Sequence, residues 1–268
     1  SKSIDYKGSA FYIVTFSILI FGLTFIKSYV GLLILTVGIL LLFFFVRFES
    51  KISNPVFEVN MFKSNDQFTF SNIAAMINYL STYAISFLMS LYLQNIRGFA
   101  SSETGFILIT QPIMMAIFSP MAGILSDKIE PRIVASIGMA ILSIGLIVFI
   151  FLTPATSITY IILNLAFIGF GFALFSSPNT NAVMSSVEKK YYGVAASTLG
   201  SMRMFGQLLS MSFVTIVFSF IIGSEKIDAD TSVQLLKSIR YIFISFSVLS
   251  IFAIYASLAR GNIHQSKE

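Results

Sequence analysis

Few residues in this chain are equipped for chemistry, and their types argue against covalent catalysis. There is no cysteine, and the single histidine, His264, lies in a polar tail. Disulfides, thiol catalysis and thiolate metal sites are therefore excluded, and one histidine builds neither a triad nor a metal centre. None of the twelve Asp and Glu residues falls inside a long apolar run; all sit in loops or at helix ends. One cation falls well inside such a run, Arg203. A charge inside a bilayer is costly and faces a cavity or a partner helix; the alternative is a side chain that snorkels to the interface. Gln207 lies at i+4 from Arg203 and shares its face. In other apolar runs stand Asn78, Gln111 and the pair Pro178-Asn179. Pro178 is expected to kink its helix and free carbonyls toward a cavity, or to leave Asn179 bridging helices. Asn78, Tyr79, Tyr83, Gln111 and Asn164 each read as a cavity group or as interhelical glue. Together these residues offer hydrogen bonds and one fixed positive charge. That suits binding, and no enzyme, cofactor or metal site follows from it.

The elements that must position these residues are membrane helices. Of the 268 residues 56% are hydrophobic and 11% charged, with 29 Phe. About 20 residues at 1.5 Å each cover the hydrocarbon core, and eight runs reach or approach that length. They are 8–26, 30–46, 67–93, 104–125, 133–152, 158–184, 193–222 and 238–258. The expected fold is thus all-α and integral to the membrane, with eight transmembrane helices. Residues 1–46 hold the first two, joined by the tight turn Lys27-Ser28-Tyr29. Residues 47–66 change character: charged side chains mix with Val56, Phe57, Met61 and Phe62, as in an amphipathic segment lying on the bilayer or a polar linker. Residues 67–260 hold six more spans and 261–268 a polar tail. Ser101 or Ser102 is placed to cap the fourth span, with Glu103 in its first turn. Gly200, Gly206 and Ser197 read as small residues that let helices approach.

Charge fixes the expected orientation. The stretch Gly123-Ile-Leu-Ser-Asp127-Lys128-Ile-Glu130-Pro131-Arg132 is a short loop between the fourth and fifth spans, which must return antiparallel. Gly123 is expected to let those two helices pack near the turn, and Asp127 to meet the positive N-terminal end of the fifth. If this loop is cytoplasmic, eleven of the 17 basic residues share its side. Lys27, Arg97, Lys226, Lys237 and Arg240 lie opposite. The positive-inside rule favours that arrangement, with both ends of the chain cytoplasmic in the plasma membrane. Basic residues confined to loops in this way do not form a nucleic-acid surface.

The decamer resembles the signature loop of the major facilitator superfamily, G-x-L-a-D-r-x-G-r-[KR]. Gly123, Leu125, Asp127, Lys128 and Arg132 match; Glu130 stands in place of Gly and Pro131 in place of a basic residue. Asn54-Pro-Val-Phe-Glu-Val-Asn-Met-Phe-Lys63 is similar to the P-L-x-D-L-x-L-F-[KR] stretch of the superfamily's fourteen-helix drug:proton antiporters. Gly193 to Gln207 is similar to their small-residue run ending R-x-x-G. The resemblance implies two extra linker helices followed by a six-helix major facilitator half-bundle. It also implies that a first six-helix bundle is missing from this chain and is its partner. Export of small lipophilic or cationic compounds by alternating access follows, with proton coupling in the full-length protein. Since no carboxylate lies mid-span here, the titrating group is expected in the other half. A truncated or partner-binding membrane subunit without transport of its own is the alternative, as is a symporter or uniporter for another small solute.

Overall fold

A computed structural model describes residues 6–52, 59–223 and 230–259. The described residues are helical apart from turns, and eight helical spans are long and apolar enough to cross a membrane. The first two are α1 (Tyr6–Thr24) and α2 (Tyr29–Glu49), a hairpin whose second arm starts where Ser28 Oγ accepts from the Val30 amide at 3.1 Å. After it a short α3 (Val59–Ser64) leads directly into the bundle. The linker stretch 53–58 and the tail from Arg260 lie outside the described residues.

The third span is built of α4 (Asp66–Thr82), α5 (Ile85–Leu91) and a π-helical turn, Tyr92–Ile96. It breaks at Tyr83-Ala84, immediately after Thr82 donates its hydroxyl to the Asn78 carbonyl at 2.8 Å. Such back-bonding to the preceding turn bends helices. Gly98, at φ 72°, then reverses the chain where a side chain would be strained. The fourth span is α6 (Ser101–Leu108) plus α7 (Thr110–Lys128). Its discontinuity at Ile109 precedes Pro112, which lacks the amide needed by the carbonyl four residues back. Ser101 and Ser102 prove to be the first helical residues rather than the cap. The start is instead fixed by Glu103, whose carboxylate accepts from the Ala100 amide at 2.9 Å.

The remaining spans are α8 (Pro131–Ile150), α9 (Ile158–Ser185), α10 (Tyr192–Ile221) and α11 (Ser232–Ala259). The last begins six residues before the position that charge suggested. Lys237 and Arg240 lie within it, where long side chains near a helix end reach the interface, and Arg240 Nε donates to the Ile150 carbonyl at 3.2 Å.

Helix α9 is the axis of the bundle: α7 and α8 both pack along it, α11 packs along α8, and α10 along α4. Close approach is made by glycine. A Cβ on Gly138 of α8 would stand 2.6 Å from the Phe175 amide nitrogen and 2.7 Å from the Gly171 carbonyl of α9. A Cβ on Gly169 would stand 2.4 Å from the Gln111 carbonyl of α7. Lipid is as apolar as these surfaces, so packing and hydrogen bonds must hold the helices together. Ser143 and Ser250 share a hydrogen bond at 2.6 Å between α8 and α11, and Ser136 bonds Ser257 at 2.9 Å two turns away.

Candidate half-cavity beside α10

The polar residues singled out by the sequence separate into three groups. In the first, Tyr79, Tyr83 and Gln111 line one cavity of about 450 Å³, with Thr82, Ser86, Phe87, Phe172 and Met211. Its walls come from the third, fourth, sixth and seventh spans. Four of its eight lining residues are aromatic, and Tyr79 meets Phe172 edge-on at 5.3 Å. Gln111 Oε1 is buried there with no hydrogen-bond partner. Tyr79, Thr82, Tyr83, Ser86 and Phe87 follow one another at three- and four-residue steps, the spacing of one helix face. Sequence reasoning missed Thr82, Ser86, Phe87, Phe172 and Met211; the helical spacing of the first three from Tyr79, and of Met211 from Gln207, is the signal that finds four of them.

The second group lies on the α10 side of Tyr79. The Arg203 guanidinium sits over the Tyr79 ring, 5.6 Å from its centroid, and donates to Thr180 Oγ1 at 2.7 Å. Thr180 in turn donates to the Ser176 carbonyl at 2.8 Å. Arg203 Nε is buried and has no partner, so the cation is held by one hydroxyl and one ring face. Gln207 and Met211 continue its helical face at four-residue steps. The face therefore leads from the arginine to the cavity wall about 12 Å away along α10. Gln207 makes no hydrogen bond among the described residues. The close approach that seats Arg203 on Tyr79 is set by Gly206, where a Cβ would stand 2.3 Å from the Met76 carbonyl.

The third group holds helices together. Asn179 Nδ2 donates to the Ser71 carbonyl of α4 at 3.2 Å, and Asn164 Nδ2 to the Gly145 carbonyl of α8 at 2.9 Å. Asn181 Nδ2 donates to Ser126 Oγ of α7 at 2.9 Å. Helix α9 runs through Pro178 without interruption, and Pro178 is buried inside it. Asn78 is buried with neither its amide oxygen nor its nitrogen bonded, and it does not line the cavity.

The charged loop is arranged differently from expectation. A Cβ on Gly123 would meet Ser177 Oγ of α9 at 3.2 Å, so this glycine faces α9 and not α8. The reason is the bundle's architecture: α7 and α8 are neighbours in sequence but are separated by α9 along most of their length. Asp127 and Lys128 are exposed. Among the described residues Asp127 makes no hydrogen bond to the first amides of α8. Arg132 is half-buried, and its Nε is buried without a partner. No group of three or more His, Cys, Asp or Glu that could hold a metal ion occurs among the described residues. The described carboxylates stand at helix ends or in turns, and Glu49, the last residue of α2, is buried.

The open character of this cavity is explained by what surrounds it. In the most apolar 18-residue stretch of each span, 56% of residues are buried in α8 and in α9, against 11% for α6–α7 and 22% for the span ending in α10. Two of the cavity's walls are thus also the least covered helices of the bundle.

Known proteins share this architecture. The fold matches a bacterial homolog of the human lysosomal transporter Spinster, crystallised in an inward-facing and occupied conformation, with a TM-score of 0.60. The match covers 86% of this chain and 57% of that one at 16% sequence identity. Riboflavin transporter RibZ of Clostridioides difficile is 27% identical over 224 residues, 83% of this chain and 48% of its own length. Multidrug resistance protein Stp of Mycobacterium tuberculosis is 26% identical over 79% of this chain and 40% of its own length. Multidrug resistance protein 3 of Bacillus subtilis is 28% identical over 85% of this chain and 46% of its own. The chain spans about half the length of the curated relatives it matches. With residues 72–267 matching the family model across the six-span bundle, the chain is a multi-pass membrane protein that belongs to the Major Facilitator Superfamily.

Proposed function

We propose that this chain is the C-terminal half of a fourteen-helix efflux permease. In this reading α1 and α2 are the linker helices, and the six later spans form one of two bundles. A facing N-terminal bundle completes the substrate cavity and carries the titrating carboxylate. The observation that carries the reading is the half-cavity of Tyr79, Tyr83, Phe87, Gln111 and Phe172 bordered by the two least covered spans of the six-span bundle. A transporter of this kind holds substrate at the interface of its two repeats and exposes it alternately by rocking. One bundle supplies one wall. The names of Stp and of multidrug resistance protein 3 favour drug export, and the aromatic wall suits flat lipophilic compounds. Lipophilic cations fit the same rings through their π faces. The orientation with both ends of the chain cytoplasmic follows from the loop charges.

Arg203 is the residue we assign to coupling. Its guanidinium has one hydroxyl and one ring for company, and a poorly compensated cation at membrane depth favours an approaching anion. A carboxylate of the facing bundle, ionised in one conformation and protonated in the other, would supply it.

The test is ethidium efflux from cells carrying either the complete reading frame or this chain alone. The complete protein is expected to give efflux that a protonophore collapses, and the chain alone none. Efflux from the chain alone would overturn the half-transporter reading. A complete protein that moves no lipophilic compound would overturn the substrate class.

A further inference from the structure

A second cavity lies on the other side of α10, and nothing in the transport reading uses it. Its volume is about 390 Å³, and it is bounded by α1, α2, α4 and α10. Phe16, Leu19 and Leu23 of α1, Phe45 of α2, and Met202 and Phe205 of α10 are among its walls. Ser212 is the only lining residue with a polar side chain. On α10 these residues project nearly opposite to Arg203, Gln207 and Met211, as a 100° step per residue requires. The two cavities therefore flank one helix, one with several polar groups in its walls and one with a single hydroxyl.

The gap exists because the α1–α2 hairpin is pinned to α10 at two levels. Near one end Phe16 stacks on Phe205 with ring centroids 4.0 Å apart, and Tyr12 meets the same ring at 5.8 Å. At the other end Lys27 Nζ donates to the Ser219 carbonyl and lies over the Phe220 ring at 4.7 Å. Between these anchors the hairpin stands off from α10. The opening follows the helix axes: Phe16 to Leu23 covers about 10 Å of α1, and Met202 to Ser212 about 15 Å of α10.

We propose that this crevice is a binding site for one acyl chain of an anionic phospholipid. Water is excluded because it needs two to four polar partners, and the walls offer one hydroxyl. An empty space of this size would leave its lining without dispersion contacts. The elongated shape parallel to the helices fits a hydrocarbon chain standing along the bilayer normal. Met76 and Met202 supply flexible side chains that adapt to it. Where α1 begins and α2 ends, exposed Lys7, Arg47 and Lys51 offer positive charge to a headgroup. Glu49 of the same region is buried and does not face outward. Each basic side chain near an anionic surface favours association, and screening by salt weakens the attraction. The lipid would join the linker hairpin to the bundle and make their attachment depend on membrane composition.

The chain contains no tryptophan, so one introduced reporter reads one place. Phe205→Trp, with Leu208→Trp as a second reporter should the first misfold, is reconstituted in vesicles doped with dibrominated phosphatidylglycerol or dibrominated phosphatidylcholine. Phe43→Trp, on the exposed face of α2, reports ordinary lipid contact. The expected result is quenching of the cavity reporter at a several-fold lower fraction of the anionic lipid than of the zwitterionic one. The Phe43→Trp control is expected to respond equally to both. Adding Arg47→Gln and Lys51→Gln should abolish the difference. An unquenched cavity reporter, or equal quenching by both lipids, would overturn the proposal. So would quenching that a free lipophilic solute relieves regardless of headgroup, which would assign the crevice to small molecules instead.

Discussion

The two sides of the bundle are built from the same residue types but packed by opposite rules. On the α8–α9–α11 side, glycines stand where a neighbouring backbone passes, as at Gly138 and Gly171, and serines face serines across helices. On the α6–α7 and α10 side, Gly105, Gly193 and Gly200 have nothing within 4 Å of where a Cβ would stand. Phe106, Ile117 and Ile124 project outward on the same side. A glycine in a helix interior costs about 1 kcal/mol relative to alanine. On the packed side that cost is offset by close approach, and at Gly105, Gly193 and Gly200 nothing among the described residues offsets it. The same residue type thus has a visible reason on one side and lacks one on the other.

The largest expected effect attacks the packed side. Gly138→Ala places a methyl against the Phe175 amide nitrogen and the Gly171 carbonyl, both backbone groups that no rotamer change can move. Overpacking of this kind costs about 1–3 kcal/mol or more. Thermal unfolding of the detergent-purified chain should show the loss, and a midpoint equal to that of the parent would refute the packing account. Asn164→Ala comes next, because it leaves the Gly145 carbonyl without its side-chain donor. Interhelical hydrogen bonds in membranes are worth about 0.6–2 kcal/mol, and the same unfolding assay reads the change. A double-mutant cycle of Ser143→Ala and Ser250→Ala should give a coupling near the lower end of that range, about 0.6 kcal/mol. Zero coupling would mean that the 2.6 Å contact is incidental.

On the polar side of α10, the effect should appear in transport and not in folding. Arg203→Ala removes the only described charge well inside a span together with its contacts to Thr180 and Tyr79. In the complete permease it is expected to lower efflux at least tenfold while leaving the amount of folded protein in the membrane unchanged. Arg203→Lys keeps the charge but loses the planar group that both donates to Thr180 and stacks on Tyr79, so partial activity is expected. Equal efflux from all three proteins would remove Arg203 from the mechanism.

Much of the fold is legible in the sequence because bilayer thickness sets the length of an apolar run. The eight spans and the antiparallel return at Gly123–Arg132 both follow from local rules. Which face each residue occupies does not. In a helix apolar on every side, periodicity carries no signal, so Asn78 and Tyr79 look equivalent although one is buried in the core and the other lines the cavity. Asn164 and Asn179 read equally as cavity groups or as interhelical bonds until their acceptors on α8 and α4 are seen. The start of α11 was misplaced for a different reason. Lys237 suggests a loop, but near a helix end a basic side chain is tolerated through its reach. For Gly123, sequence adjacency suggests packing of α7 on α8, but α9, which comes later in the chain, intervenes.

The smallest expected effect on this chain is also the sharpest test of its open side. Gly193→Ala and Gly200→Ala introduce methyls that meet nothing within 4 Å, so neither should destabilise the isolated chain. Relief of the glycine penalty should instead raise stability by up to about 1 kcal/mol at each site. In a complete permease with a facing bundle against α10, the same methyls would stand in a helix–helix contact, where small residues allow backbones to approach. Transport there should fall although the isolated half has gained stability. Opposite signs in the two preparations would mark this face as built for a partner that the chain does not itself contain. A stability gain accompanied by unchanged transport would mean that lipid alone covers α10 here, and would leave these glycines without an interface to serve.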